Sequence, residues 1–387
     1  MSANALIVHG GAPTAVINAS LYGAVCQGKE HPEIGKFYAA LGGMRAVLEE
    51  RFLDLKTVSQ EQLELLPYTP ASAIGTSRDP MEREDYEAVA RIIAKHQIRY
   101  VFFNGGNGSM DACGKTYQAC RDLGVEVQVV GIPKTIDNDL AVTDHAPGFG
   151  SAARYIAQTV KEISQDVRSL PIHVCVVEAM GRNAGWITAA SALAREGGGA
   201  GPDLICLPER PFDEEAFLKE VERLHREKGG VVVVVSEGLK KADGTPILDP
   251  IFQVGRAVYY GDVSAHLANL VIKRLGIKAR SEKPGLCGRT SISLQSSVDR
   301  EEAILAGREA VRAAMAGKTG VMVGFERQPG AEYRSRTILI PIEQVMLSER
   351  TMPDEFIASS GWDVTPAFLD WCRPLIGGDL PSFVSFR

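Results

Sequence analysis

Lys134, Thr135, Asp137 and Asp139 place a cation, a hydroxyl and two carboxylates on one short loop, Pro133-Lys134-Thr135-Ile136-Asp137-Asn138-Asp139. Earlier in the chain, Gly105-Gly106-Asn107-Gly108-Ser109 carries three glycines in four positions. Such a turn leaves the backbone free to take positive φ and leaves no Cβ in the way, so consecutive N–H groups can converge on an anion at a helix start. That is a cradle for phosphate. A carboxylate such as Asp137, beside a lysine and a hydroxyl, can take the proton from an alcohol that attacks a phosphoryl group, while Lys134 neutralises phosphate charge. Together the two loops read as machinery for phosphoryl transfer to a hydroxyl.

The elements that position these loops follow from the apolar pattern. Residues 100–104 read as a strand, the glycine turn opens a helix that ends near 123–124, and 125–131 read as a second strand, so both loops lie at the carboxyl ends of neighbouring parallel strands. A similar unit stands at the start: the apolar run 5–8 ends at His9-Gly10-Gly11, and a helix begins near Thr14. His9 is read there as a turn residue facing solvent. Further on, the run 171–178, the strand 204–207 and the five valines 231–235 alternate with an amphipathic helix over 213–228. Near-continuous apolar strands imply burial on both faces. The pattern predicts an α/β chain of two doubly wound, mostly parallel-sheet, Rossmann-like domains facing across a cleft. Gly114-Lys115-Thr116 resembles the end of a P-loop, but Ser109 stands where the spacing demands glycine. No GxGxxG follows a strand with an acidic residue at the required distance, so a dinucleotide site has no support.

Composition narrows the partners. At 387 residues two domains are expected, and 45% hydrophobic with 23% charged residues excludes a disordered or fibrous chain. A net charge of −6 argues against a nucleic-acid or acidic-membrane surface. Small molecules and sister subunits are the expected partners. Cysteines 26, 113, 120, 175, 206, 287 and 372 have no metal spacing and are read as reduced, buried thiols. The run MSANALIVHGG has no basic or long apolar leader character, and no apolar segment approaches membrane-spanning length, so a cytoplasmic location is expected.

The motifs GGNGSMD, GIPKTIDNDL and TDHAPGFGSAARY closely resemble the phosphofructokinase family, in particular the branch that contains pyrophosphate-dependent members. The resemblance extends over nearly the whole chain, through HGGAPTAVINASLYG, VVEAMGRNAGW, VSEGL and PLIGGDLP. PKTIDND with MGRNAGW is specific, whereas GGNGS alone is a weak signal. The family implies a donor held by Gly11, Arg78, Gly106, Asn107, Gly108 and Ser109, with Mg²⁺ at Asn107 and Asp139. It makes Asp137 the base, with Thr135, Lys134 and Arg182 stabilising the moving phosphoryl group. Fructose 6-phosphate would be positioned by Met180, Gly181, Arg182, Glu237, Arg280 and Arg289 as well as Thr135 and Asp137, with His173 as a further contact.

The sequence departs from the family pattern in informative places. Bacterial members have arginine where this chain has His173 and histidine where it has Leu286, which thins the phosphate ligands of the sugar site. Many have aspartate in place of Asn107, and an amide is the weaker magnesium ligand. The family connectivity implies a donor domain of 1–148 plus 288–318 and a sugar-phosphate domain of 149–287 plus 319–387. It also implies a homodimer or homotetramer, because the residues at the His173 and Arg280 positions reach a neighbouring subunit's site. On the donor the residues disagree. Pyrophosphate-dependent members carry an aspartate at the Gly108 position that repels a nucleotide, which its absence here would admit; Lys134 accompanies pyrophosphate use. Exclusion by a like charge is the larger effect, so ATP is the expected donor, with pyrophosphate the alternative. A non-catalytic sensor of sugar phosphate or nucleotide is the rival class, which the intact TIDND cluster disfavours.

Overall fold

The computed structural model describes residues 3–254 and 257–386. Five strands come first: β1 (Ala3–His9), β2 (Ile34–Ala40), β3 (Phe52–Asp54), β4 (Ile98–Gly105) and β5 (Gln128–Pro133). They are followed by β6 (Val174–Ala179), β7 (Leu204–Cys206), β8 (Val231–Ser236), a short hairpin β9 (Phe252–Val254) and β10 (Ala257–Tyr259), and β11 (Ala279–Glu282). The chain closes with β12 (Val321–Arg327) and β13 (Ser335–Pro341).

Two compact units result, one running up to Ser151 and resuming over Arg289–Arg350, the other formed by Ala152–Gly288 and the stretch from Thr351. Each is an α/β, Rossmann-like domain. The first has a sheet in the order β13-β12-β5-β4-β1-β2-β3, parallel except where β3 and β13 pair at its edges. Alternate residues of the central strands feed two cores on opposite faces: Leu6, Val8, Val101 and Phe103 on one, Ala5, Ile7, Phe102 and Val130 on the other. This is why β1 and β4 read as unbroken apolar runs.

Strand β1 lies between β2 and β4, so the chain leaves it to one side and returns on the other. Ligands bind at such a reversal, outside the carboxyl ends of the strands. Here the reversal sets Gly10-Gly11 beside the Gly105–Ser109 turn, with the Gly10 N–H bonded to the Asn104 carbonyl at 3.0 Å.

The first unit is larger than the expected 1–148 plus 288–318. Val321 and Met322 pair with Val130 and Gly131, and β13 then pairs along the whole of β12, which holds the chain in this unit as far as Arg350. Helix Ser297–Met315 also packs closely against helix Ile17–Lys29; a Cβ on Gly23 would lie 2.0 Å from the Ile304 carbonyl oxygen.

The second unit carries a parallel sheet in the order β11-β6-β8-β7. Its five valines, Val231 to Val235, are almost fully buried at the centre. The carboxyl ends of β6 and β8 present Met180-Gly181-Arg182 and Glu237 side by side. All seven cysteines are free thiols, but Cys287 is exposed and Cys26 half-buried, a correction to the expectation that all are buried. Among the described residues, no helix is long and apolar enough to cross a membrane.

Candidate active site

A cavity of about 400 Å³ opens at the reversal in the first sheet, lined by Gly10 and Gly11, Arg78, the Gly106–Ser109 turn, Lys134, Thr135, Asp137 and Asp139. The turns meet closely: a Cβ on Gly10 or on Gly105 would lie 2.2 or 2.0 Å from Ser109 Oγ, so only glycine fits at either place. Helix Asn107–Asp122 starts inside the cavity with no side-chain cap, leaving its first backbone N–H groups for an anion. The Ser109 side chain is wedged between the two turns, with its own N–H bonded to the Gly106 carbonyl at 2.9 Å.

His9 is fully buried, contrary to the solvent-facing reading. Asn104 Nδ2 lies 3.1 Å from His9 Nε2, His9 Nδ1 lies 2.8 Å from Ser72 Oγ, and Ser72 Oγ donates to the Gly75 carbonyl at 2.8 Å. One tautomer satisfies the chain, with Nε2 accepting from Asn104 and Nδ1–H donating to Ser72. Burial, reinforced by the Lys134 charge, pushes His9 down to about 3 and keeps it neutral. Ser77 O accepts from Gly11 N at 3.3 Å and Thr76 Oγ1 donates to Gly11 O at 2.8 Å. These bonds fix the loop that brings Arg78 to the cavity.

Lys134 is buried, and its Nζ donates to the Ala12 carbonyl at 2.5 Å. Burial draws its proton affinity down to about 8, against the pull of Asp137 and with a push from Arg78. Arg289 belongs to this same unit. Burial, then repulsion from Arg78, lowers its affinity while Asp137 raises it, and its Nε is buried without a hydrogen-bond partner among the described residues. Lys134 and Arg289 therefore both feel the charge of Asp137, and Arg78 lies close enough to repel each of them. The Asp137 N–H is bonded to Thr135 Oγ1 at 3.0 Å, and that hydroxyl donates to Asp139 Oδ1 at 3.1 Å. Asn107 Nδ2 donates to Asp139 Oδ2 at 2.8 Å.

The residues fit a hard divalent cation. Asn107 Oδ1 is buried with no hydrogen-bond partner among the described residues, and burial raises the proton affinity of the adjoining Asp139 despite bonds from Thr135 and Asn107. An unsatisfied amide oxygen beside an undercompensated carboxylate is an oxygen donor set for such an ion.

In the second unit, Glu237 Oε1 accepts from Gly181 N at 3.2 Å and Ser236 Oγ donates to the Gly181 carbonyl at 2.7 Å, which ties Met180-Gly181-Arg182 to the end of β8. Arg182 is exposed, its guanidinium 5.9 Å from the Tyr260 ring centre. His173 and Arg280 stand at the other end of this sheet. The register pairs Val174 with Ala279 and Cys175 with Arg280, whereas Ala179 pairs with Ser236. At about 3.3 Å per residue, His173 is ~20 Å of strand from Met180. Burial and then the charge of Arg280 push His173 below the usual histidine range, so its buried ring is neutral near pH 7. Leu286 is exposed.

Two contributors had no local signal. Asp299 accepts from Gly148 N at 2.8 Å and Ser151 N at 2.9 Å, and burial raises it to about 6. Arg350 binds the backbone of the loop after Asp137. Both reach the site from far along the chain, and only the acid or base character of the residue could have flagged them.

Cradle, cations and carboxylate on this fold define a phosphotransferase with an alcohol group as acceptor. The chain belongs to the phosphofructokinase family, whose model, described as Phosphofructokinase, matches residues 4–314. It is 38% identical over 392 residues to the pyrophosphate--fructose 6-phosphate 1-phosphotransferase of Rhodospirillum rubrum, covering 99% of this chain and 96% of that protein. It is 32% identical to the sulfofructose kinase of Alkalicoccus urumqiensis, covering 97% and 95%. The crystal structure of the pyrophosphate-dependent phosphofructokinase from Nitrosospira multiformis superposes with a TM-score of 0.90 at 36% identity, over 99% of this chain and 94% of that one.

Proposed function

We propose that the protein is a pyrophosphate-dependent fructose 6-phosphate 1-phosphotransferase, correcting the ATP expectation. The observation that carries this is the buried Lys134 ammonium, held on the Ala12 carbonyl at 2.5 Å in the floor of the cradle. Pyrophosphate offers no base or ribose to bind, so its recognition comes from concentrated positive charge, here Arg78, Lys134 and Arg289. The relatives named for pyrophosphate support the same donor.

In this reading Asp137 takes the proton from the 1-hydroxyl, the oxygen attacks the terminal phosphorus, and the bridging P–O bond breaks to release orthophosphate. Lys134, Arg289 and the cradle N–H groups stabilise the charge that develops; Thr135 fixes Asp137 and Asp139. Asn107 and Asp139 would hold Mg²⁺, which supplies further charge neutralisation on the phosphates. Met180, Gly181, Arg182 and Glu237 are assigned to the sugar.

ATP is the second reading, favoured by two observations. Among the described residues, nothing beyond its own stretch of helix lies within 4 Å of where a Gly108 Cβ would be, and a further cavity of about 410 Å³ shares Met81 and Tyr86 with the first, room that a nucleoside could use. A coupled assay with fructose 6-phosphate decides: turnover with pyrophosphate and not with ATP is expected. Turnover with ATP alone would reverse the choice, and Gly108→Asp should then abolish it. The acceptor arm includes a sulfofructose, since one relative is named for such a sugar and a neutral His173 with Leu286 leaves fewer cations for the acid group of the sugar.

The second sheet supports a homo-oligomer. His173 and Arg280 stand at the opposite end of it from Met180 and Glu237, so if they bind the sugar phosphate they do so in a neighbouring chain's site. A homodimer or homotetramer is expected by analytical ultracentrifugation at assay concentration. An active monomer there would release His173 and Arg280 from the sugar site.

A further inference from the structure

Arg350 ends the first unit, beyond the 4–314 span that the family model matches. Its guanidinium grips the backbone of the loop that carries the two carboxylates. Nη1 donates to the carbonyls of Thr143 at 2.5 Å and Asp144 at 2.8 Å; Nη2 and Nε donate to that of Asn138 at 3.1 and 3.3 Å. The Arg350 N–H donates to the Asp139 carbonyl at 2.8 Å. One residue thus holds the carbonyls of both residues that follow Asp137.

The loop needs such a template. Asn138 (φ 53°) and Val142 (φ 70°) sit in the left-handed region, which non-glycine residues hold only where the surroundings over-determine it. Within the loop, Asn138 Oδ1 accepts from Ala146 N at 3.0 Å, and the Thr135 hydroxyl serves Asp137 N and Asp139. The carbonyls that Arg350 takes up, those of Asn138, Asp139, Thr143 and Asp144, lie on and around these two residues. A planar fork with five donors can span three carbonyls at fixed angles; a lysine ammonium cannot.

We propose that Arg350 is a positioning residue for phosphoryl transfer: by fixing the peptide planes at Asn138 and Asp139 it sets the directions of the Asp137 and Asp139 carboxylates. It acts on kcat rather than on substrate affinity. This rests on the reading of Asp137 as the base.

The test uses Arg350→Ala and Arg350→Lys in the full chain. Misplacing a reacting group by about 1 Å costs up to ~10²-fold, so kcat should fall about 10- to 100-fold with KM for both substrates within about threefold. Guanidinium at millimolar concentration should restore part of kcat in the Ala variant and leave the parent unchanged. Amide exchange over 135–148 should accelerate in both variants, with the second unit unaltered. A kcat within threefold of the parent, or unchanged exchange over 135–148, overturns the proposal. If Arg350→Ala does not fold, Arg350→Lys carries the same two measurements. A parent that transfers no phosphoryl group refutes the catalytic reading, and the exchange measurement still decides whether Arg350 holds the loop.

Discussion

Replacing Asp137 by asparagine is expected to lower kcat by about 10²- to 10⁴-fold, the range over which a positioned general base contributes. The amide keeps the shape of the carboxylate and leaves the 3.0 Å bond from the 137 N–H to Thr135 Oγ1 in place, so the fold and the KM values should change little. What it cannot do is accept the proton of the attacking hydroxyl. Asp139 is not expected to take over, because in the proposed reading its carboxylate, held by Thr135 Oγ1 at 3.1 Å and Asn107 Nδ2 at 2.8 Å, is committed to the metal. Steady-state kinetics beside a thermal melt separate the possibilities. A variant that melts like the parent and retains more than about a tenth of its kcat would move the base elsewhere.

Much of this site was legible because its parts are local. The glycines of the 105–109 turn and the acidic cluster at 137–139 declare a tight turn at a helix start and a carboxylate loop within a few residues each, and the five valines announce a buried central strand. Non-local pairing was not legible. Nothing within 321–341 says that β12 will add to β5, and that pairing moves the unit boundary from the expected 318 to Arg350. His9 was misread for the same reason: its partners Asn104 and Ser72 come from other segments, and a buried histidine differs from an exposed one only through them. The family resemblance assigned His173 and Arg280 to a neighbouring subunit's site; that the strand register sets them at the opposite end of the sheet from Glu237 is a fact that only pairing reveals. The open space at Gly108 and the buried charge of Lys134 were both visible as residue types, yet their weights in choosing a donor depend on burial and neighbours.

Lys134→Met is expected to make the protein more stable and a far poorer catalyst. Burial holds the lysine at about 8 rather than its ordinary 10.5, so at pH 7 the folded chain carries an ammonium that it would hold more comfortably unfolded. A shift of that size corresponds to a penalty on the order of 3 kcal/mol. Methionine removes the charge at similar length, and loses a hydrogen bond to the Ala12 carbonyl worth about 1–2 kcal/mol, so a net gain on the order of 1–2 kcal/mol is expected near neutral pH. The sign of the pH dependence is fixed. Between pH 8 and 10.5 the unfolded parent binds more protons than the folded one, so the parent gains stability as pH rises and the advantage of the variant shrinks. Activity moves the other way: removing one charge donor from the phosphates should lower kcat/KM for pyrophosphate by about 10²-fold or more. In the parent that parameter should decline as pH rises through about 8, where the free enzyme's lysine loses its proton, and the decline should be absent from the variant. Denaturant melts and kcat/KM measured together across this range test both halves. A variant less stable than the parent at pH 7, with the same pH profile for pyrophosphate, would place the charge of Lys134 outside donor binding.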